Sequence, residues 1–288
     1  VDPYESTAPQ VLTLADQAVR LPSETLDEQT DFTLELHLRF EPDQLTTENV
    51  FFSAAGSRSN NEFTFWMEAE GRLLLTDGGT EYYWNLEQPI TDGDWHDLSV
   101  VRHLVGDKLM VDLYVDGVFQ GRRNVVNRAL RVSNHGIVLG QDQDSIGWSF
   151  QSSQAFNGDL DNIRIWQAVR SPEQIVAGLG GQIADPQFDE TLVGYWTFNG
   201  FDSTGFKDES AYQRDAVNYT GRYQASRTSG GLGTIAQTNS EEWLQKADHM
   251  VLTLVNGTSV VGAARLGDVN GDGNQDLLLH TTSTADPN

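Results

Sequence analysis

The sequence predicts an all-β protein whose main part is an antiparallel sandwich of two sheets. Three observations support this fold class. Apolar and polar residues alternate with a period of two through much of the chain, turns rich in Gly, Asn and Asp separate the alternating segments, and one helix signal stands out. With 288 residues, the chain has room for one large β domain and a smaller unit.

The clearest predicted strand is Phe32–Phe40. It places Phe and Leu on one face and Thr, Glu, His and Arg on the other, which is typical of a strand with one side in a core. Shorter segments repeat the pattern at Leu98–Arg102, Leu109–Val115 and Leu160–Trp166. Between Val115 and Val118, the pair Asp116-Gly117 predicts a tight hairpin turn.

The helix is predicted to begin after Ser171. This serine is a suitable N-cap, Pro172 stands at the first helical position, and Gln174 follows the cap by three residues. We expect Ile175 to pack against a sheet.

Composition narrows the possible partners. The formal net charge is −24, from 42 acidic and 18 basic residues, which argues against nucleic acid and anionic lipid as ligands. The acidity fits both general solvation and carboxylates around divalent cations, and composition leaves both open. The absence of cysteine excludes disulfides and thiolate metal sites, and suits bacterial exoproteins. No apolar run approaches the ~20 residues that cross a bilayer.

A second, smaller β unit is predicted at 246–288, after a linker at 223–245 rich in Ser, Thr and Gly. Its expected strands are Met250–Val255, Ser259–Leu266 and Asp276–His280. Between the last two, oxygen-bearing side chains alternate with turn-forming glycines, as in a calcium loop. The pattern resembles the calcium turn of integrin-type propeller repeats (FG-GAP or VCBS), so the unit resembles one incomplete propeller blade. The predicted ligands are Asp268, Asn270, Asp272, Asn274 and Asp276.

The segment 137–166 resembles the pentraxin branch of the laminin-G-like jelly-roll superfamily, whose members carry a similar Gly-Gln-acid-Gln-Asp-Ser motif at 140–145. The resemblance covers about residues 10–220. It extends to the segments Ser59–Glu62, Phe65-Trp66, Trp95–Asp97, Ser171–Ile175 and Leu192–Phe198. It implies a jelly roll over residues 1–222.

The resemblance also implies a calcium site made from two loops. Carried over by position, its ligands are Asn60, Asn61, Asp142, Asp144, the backbone carbonyl of Gln143, and Gln154. The chemistry agrees, because calcium takes carboxylate, amide and carbonyl oxygens, and Asp142 and Asp144 at alternate positions can converge on one ion. The alternative is a solvated polar loop without an ion.

The ligand of such a site would contact the calcium directly beside an apolar pocket. Phe65 and Glu81 occupy positions that resemble this pocket, and Trp148 lies next to the calcium loop. Tyr82-Tyr83-Trp84 offers further rings for stacking on sugars, although alternation should bury at least one of the three.

Two departures from the family qualify these expectations. The pentraxin cysteine pair and the signature after His96 are absent, which weakens any inference of pentameric assembly or of the ligands of C-reactive protein. Asn60, Asp142 and Gln151 stand where the family has longer or more acidic ligands. We therefore expect one calcium ion to bind well and a second weakly.

The sequence thus predicts a calcium-dependent, lectin-like module of a secreted or cell-surface bacterial protein that acts in adhesion. Its ligand would be a carbohydrate or another anionic or hydroxylated surface group. The alternative is a spacer that calcium makes rigid. Val1 is not an initiator Met, so we expect a piece of a longer, multidomain chain.

An enzyme acting on polysaccharide is disfavoured. Such an enzyme needs two carboxylates that face one groove. The pair Asp142/Asp144 is expected to bind calcium, and the pair Asp159/Asp161 belongs to the polar face of the Leu160–Trp166 strand. No nucleophile, zinc or nucleotide motif is present in the sequence.

Overall fold

A computed structural model describes residues 10–15, 18–68, 71–199 and 205–218, and the strands at 226–229, 258–267 and 276–283. The strands in chain order are β1 (Gln10–Ala15), β2 (Val19–Leu21), β3 (Phe32–Phe40), β4 (Glu48–Ala54), β5 (Phe63–Glu68), β6 (Arg72–Asp77), β7 (Thr80–Asn85), β8 (His96–Val105), β9 (Lys108–Val115), β10 (Val118–Val125), β11 (Ile137–Leu139), β12 (Asn157–Trp166), β13 (Leu192–Trp196), β14 (Val217–Asn218), β15 (Ser226–Ser229), β16 (Thr258–Gly267) and β17 (Asp276–Ser283). Short 3-10 turns lie at Ser23–Thr25, Pro42–Gln44, Ser152–Gln154 and Pro186–Phe188.

Two antiparallel sheets form the predicted jelly-roll sandwich. The first sheet has the order β10-β9-β8-β3-β12-β1-β15, with β13 beside the second half of β12. The second sheet has the order β14-β2-β11-β4-β5-β6-β7. Strands distant in sequence are neighbours in both sheets, which confirms the predicted fold class.

The core lies between the two sheets and follows the period-two pattern. In β3, which has the predicted bounds, the side chains from Phe32 to Phe40 that point inward are at most 2% exposed. The ring of Phe32 meets that of Phe63 from the second sheet edge to face, with centroids 5.2 Å apart. The polar face of β3 is also buried, since Glu35 and His37 are only 6% and 4% exposed.

The helix covers part of that polar face. Helix α1 (Pro172–Gly178) has the predicted capping box, in which Ser171 Oγ accepts from the Gln174 N–H and Gln174 Oε1 accepts from the Ser171 N–H. Ile175 packs against Val101 and Tyr114 on the outer face of the first sheet. The predicted helix start and its packing are confirmed.

The predicted hairpin turn joins β9 to β10. Asp116 and Gly117 both have positive φ values, 50° and 77°, as this kind of tight turn requires. A side chain at Gly117 would also press on Val176 and Leu179, each 3.0 Å from the position of a Cβ atom.

Further along the chain, β16 pairs antiparallel with β17. Two of the three predicted C-terminal strands are therefore present as a pair. Met250–Val255 and residues 268–275 of the predicted calcium loop lie outside the described residues, and the domain boundaries at 222 and 245 stay a prediction. None of the helices in the described part of the chain has the length and apolar character to cross a bilayer.

Candidate functional site

A polar row crosses the outer face of the second sheet. Ser53, Thr64, Thr76 and Glu81 are paired in register across β4, β5, β6 and β7. Each has at least one neighbour along its strand that lies in the core or packs against it, so these side chains point away from the core. Thr64 and Thr76 are buried, and their hydroxyl groups have no hydrogen-bond partner among the described residues. Glu81 lies exposed at the edge of the sheet.

The loop after β11 is anchored over this row by the side chain of Gln143. Its Nε2 donates to Ser53 Oγ at 2.8 Å and to the Gly136 carbonyl at 3.0 Å, and its Oε1 accepts from the Gly147 N–H at 2.6 Å. Gln143 has no exposed surface. Because the side chain of Gln143 holds the loop in place, its backbone carbonyl is the group available as the predicted calcium ligand.

The two predicted calcium loops meet at this end of the sheet. Asn60 Nδ2 donates a hydrogen bond to the carbonyl oxygen of Asp144. The end of the Asn61 amide lies 3.2 Å from Asp142 Oδ1 and 3.2 Å from the carbonyl oxygen of Asn60. Two acceptor oxygens can lie beside this end of the amide in two ways. Either the end carries the N–H groups, which donate to both oxygens, or it carries the amide oxygen and a cation binds all three oxygens.

A third segment brings Gln154 to the same place. Its Nε2 donates to Asp142 Oδ2 at 3.4 Å and to Glu48 Oε2 at 2.8 Å, while its buried Oε1 has no hydrogen-bond partner among the described residues. Gln151 Nε2 donates to Asp144 Oδ2 at 2.5 Å. The residues predicted from the jelly roll as cation ligands are thus neighbours, and Glu48 joins them although the sequence pattern did not indicate it.

The surroundings of Asp142 disfavour the ionised form of its carboxyl. Burial raises the pKa of its carboxyl above the usual 3.8, the Gln143 N–H lowers it, and the charges of Asp144 and Glu48 raise it further. Asp142 is 8% exposed. Because the ionised form is disfavoured by burial and by two other carboxylates, a cation beside it would stabilise that form.

The donor set fits calcium better than a transition metal. Carboxylate, amide and carbonyl oxygens are available, and no His or Cys is among the residues of the cluster. Within the part of the chain that the structure describes, no three His, Cys, Asp or Glu side chains are arranged to hold a metal by themselves. A calcium ion here would depend on the oxygens of Asn61, Gln154 and the loop backbone as well as on Asp142 and Asp144.

Trp148 forms an exposed ring beside the cluster. It is 58% exposed, and the guanidinium carbon of Arg20 lies 5.3 Å from its ring centroid. Arg20 also donates to the Gly147 carbonyl at 2.8 Å, which ties strand β2 to the loop that carries Trp148. One face of the ring is therefore supported by Arg20, as a stacking platform would require.

Phe65 does not line the outer face, contrary to the prediction. It has no exposed surface and its ring contacts Phe51 and Phe63 in the core, with centroids 6.0 Å and 5.6 Å away. The next residue, Trp66, takes the outer face, where it packs with Val50 and Leu74. The period of two along β5 causes this difference, since a shift of one residue reverses the face.

The three consecutive aromatic residues of β7 divide between the two faces. Trp84 is buried, Tyr82 packs against the core, and Tyr83 is 53% exposed on the outer face. This confirms that alternation buries at least one of the three. Tyr83 is the ring of this strand that a ligand could reach.

The C-terminal ligands predicted for calcium, at positions 268, 270, 272 and 274, lie outside the described residues. Asp276 is the first residue of β17, where its backbone pairs with Gly267. The calcium loop of the C-terminal unit therefore stays a prediction.

The fold and this arrangement agree with a match to a known family. The family model for the concanavalin A-like lectin/glucanases superfamily (Laminin_G_3) matches residues 14–176, more than half of the 288 residues. The chain belongs to this superfamily.

Within it, pentraxins are homologues of the chain. Jeltraxin of Lepidobatrachus laevis is 33% identical over 160 residues, which cover 54% of this chain and 69% of jeltraxin. The C-reactive protein of Cavia porcellus is 31% identical over 144 residues, covering 50% of this chain and 62% of the relative. The chain thus spans less than two thirds of the length of that C-reactive protein. These matches confirm the pentraxin-like part of the resemblance.

A solved structure supports the fold alone. A candidate carbohydrate-binding protein from Bacteroides ovatus superposes with a TM-score of 0.60 at 14% identity, covering 77% of this chain and 60% of that protein.

Proposed function

We propose that this chain is a calcium-dependent, lectin-like module that binds carbohydrate or another anionic or hydroxylated surface group. The observation that carries this proposal is the convergence of Asn60, Asn61 and Gln154 on Asp142 and Asp144. The loops that supply these residues are far apart in sequence. Asp142 is a buried carboxylate that meets amide groups and, among the described residues, no basic side chain, which is typical of a site that takes its cation from solution.

The ligand would lie on the outer face of the second sheet. Trp148 offers an exposed ring beside the proposed calcium ion, and Tyr83 and Glu81 lie exposed on β7. An aromatic face packs on the apolar side of a sugar ring, while a calcium ion can accept two of its hydroxyl oxygens. The name of the Bacteroides ovatus protein, a candidate carbohydrate binder, agrees with this ligand class.

A structural spacer is the alternative, in which calcium would only make the loops rigid. The 58% exposure of Trp148 favours the binding function, because a spacer has no use for an exposed ring beside the ion. We also propose an extracellular place of action, at the cell surface or after secretion, within a longer chain used in adhesion. We assign it no enzymatic activity.

A glycan array tests the function directly. The chain is applied with calcium, then with a chelator, and then with calcium restored. We expect selective binding that disappears with the chelator and returns with the metal. Binding that is absent under all three conditions would favour the spacer, and binding unaffected by the chelator would contradict the calcium dependence.

A further inference from the structure

Glu48 is an acidic residue beside the proposed calcium site that has no basic partner in the part of the chain that the structure describes. It is the first residue of β4 and points to the outer face, as does Val50 two residues later. Among the described residues it forms no ion pair, and it accepts one hydrogen bond, from Gln154 Nε2. The sequence pattern did not indicate Glu48, since it lies on a strand far from both predicted loops.

The fold brings Glu48 to the cluster through the turn that carries Gln154. Thr46 Oγ1 donates to the Ala155 carbonyl at 2.8 Å, and Val50 and Ala155 form a parallel bridge. These contacts dock the turn on the beginning of β4. The amide of Gln154 is thereby held between Glu48 and Asp142, at 2.8 Å and 3.4 Å from their oxygens.

Glu68 provides an internal comparison, because it lies directly opposite Glu48 on the neighbouring strand. Glu68 forms an ion pair with Arg72 at 2.6 Å. Two acids side by side on one face repel each other. The chain neutralises Glu68 with arginine and leaves the charge of Glu48 directed toward Asp142.

We propose that Glu48 is the third carboxylate of the calcium site, with Oε1 of Gln154 as an additional oxygen ligand next to it. This inference rests on the calcium site proposed above. Two carboxylates neutralise one Ca²⁺, and this count led to the expectation of a weak second position. Glu48 raises the count to three, so the charge of a second ion between Asp142 and Glu48 becomes better compensated. An ion there would replace Gln154 Nε2, which now donates to both acids, and a half-turn of the amide would bring to the ion the Oε1 atom that has no hydrogen-bond partner among the described residues.

Calcium titration of the full chain by calorimetry tests this assignment. Four proteins are compared: wild type, E48Q, the matched control E68Q, and D142N, which removes the carboxylate shared by both proposed ions and whose titration therefore measures ions bound elsewhere in the chain. After that subtraction, we expect E48Q to lose one ion from the stoichiometry or to bind it about 10–100-fold more weakly, the range typical for a lost supporting group of a metal site. E68Q should titrate like wild type.

The failures of the two proposals are distinguishable. If E48Q titrates like E68Q while D142N loses calcium, the role of Glu48 is refuted and the calcium site stands. If wild type and D142N titrate alike, the calcium site fails and the role of Glu48 with it. Thermal unfolding in chelator checks that E48Q is folded, and calcium should raise its Tm less than that of wild type, because binding adds stability by mass action.

Discussion

Buried acids of the first sheet and the buried Asp142 beside the second sheet have opposite kinds of neighbours. On the first sheet, buried acids are matched by basic side chains from the same chain. Glu35 lies 3.3 Å from Arg164 and 2.9 Å from Arg170, and Asp112 accepts from Arg122 at 2.5 Å and from His103 at 3.0 Å. On the second sheet, Asp142 meets amide groups and other acids instead.

The pKa shifts express the same contrast. Burial alone would raise the pKa of Asp97 on the first sheet, but the charge and hydrogen bond of His37 and the charge of Arg164 outweigh it and hold the pKa below the usual 3.8. The pKa of Asp142 is raised, because burial and two neighbouring carboxylates act together. On the first face, Asp97 therefore has basic side chains of the same chain that stabilise its ionised form. On the second face, the proposed cation would stabilise the ionised form of Asp142, which the neighbouring carboxylates disfavour.

The largest expected effect is the loss of a buried pair on the first face. E35Q leaves Arg164, which is only 4% exposed, without its acid. Removing one partner of a buried pair typically costs about 3–5 kcal/mol, so we expect a loss of that size in the free energy of unfolding. Urea denaturation in chelator measures it. E68Q, which breaks a more exposed pair, should cost less than about 1 kcal/mol. Equal losses in both variants would contradict the greater importance of the buried pair.

The same type of substitution on the second face should affect calcium and not the fold. D142N is expected to weaken calcium binding at least about 100-fold, since even supporting groups are worth 10–100-fold. Ligand binding should be lost with it. In chelator its free energy of unfolding should equal or exceed that of wild type, because the ionised form of Asp142 is disfavoured in the folded state. Calorimetric titration and urea denaturation measure both quantities, with D107N in an exposed turn as the control.

A smaller effect is expected at the exposed ring. W148A should weaken carbohydrate binding about 2- to 10-fold, because an aromatic contact contributes roughly 0.5–1.5 kcal/mol. The calcium affinity should stay unchanged. W148F should retain most of the affinity, because it keeps an aromatic face. The ligand found on the array serves for the titration. An unchanged affinity in W148A would place the ligand elsewhere on the second face.

The smallest effect concerns pH and the edge of the first face. Burial lowers the pKa of His96, but hydrogen bonds and charges from Asp116 and Asp92 outweigh it and raise the pKa above 6.5. The folded state therefore binds this proton more tightly than the unfolded state. The stability it contributes is fully present below the unfolded pKa and is lost as the pH rises through the folded pKa. We expect the Tm of wild type to fall from about pH 6 to about pH 8 by more than that of H96Q. Parallel falls would contradict this role.

The sequence by itself determined the elements that depend on local patterns. The alternation in Phe32–Phe40 specified a strand with one face in the core, and Ser171, Pro172 and Gln174 specified a capped helix, because capping and side-chain alternation are properties of adjacent residues. The motif at 140–145 likewise led to the family. The pattern also indicated the two loops that meet at Asp142.

Only the tertiary structure decided which face of a sheet each side chain occupies and which distant residues it contacts. Phe65 lies in the core and Trp66 on the outer face, because the folded sheet decides which set of alternate residues of β5 faces inward. Glu48 reaches the cluster because the Gln154 turn docks on β4, a contact between residues 106 positions apart. Whether a buried acid is neutralised by arginine or needs a cation from solution depends on such distant contacts. The local sequence pattern does not encode these contacts. The charges around Asp142 could therefore be assigned only from the folded chain.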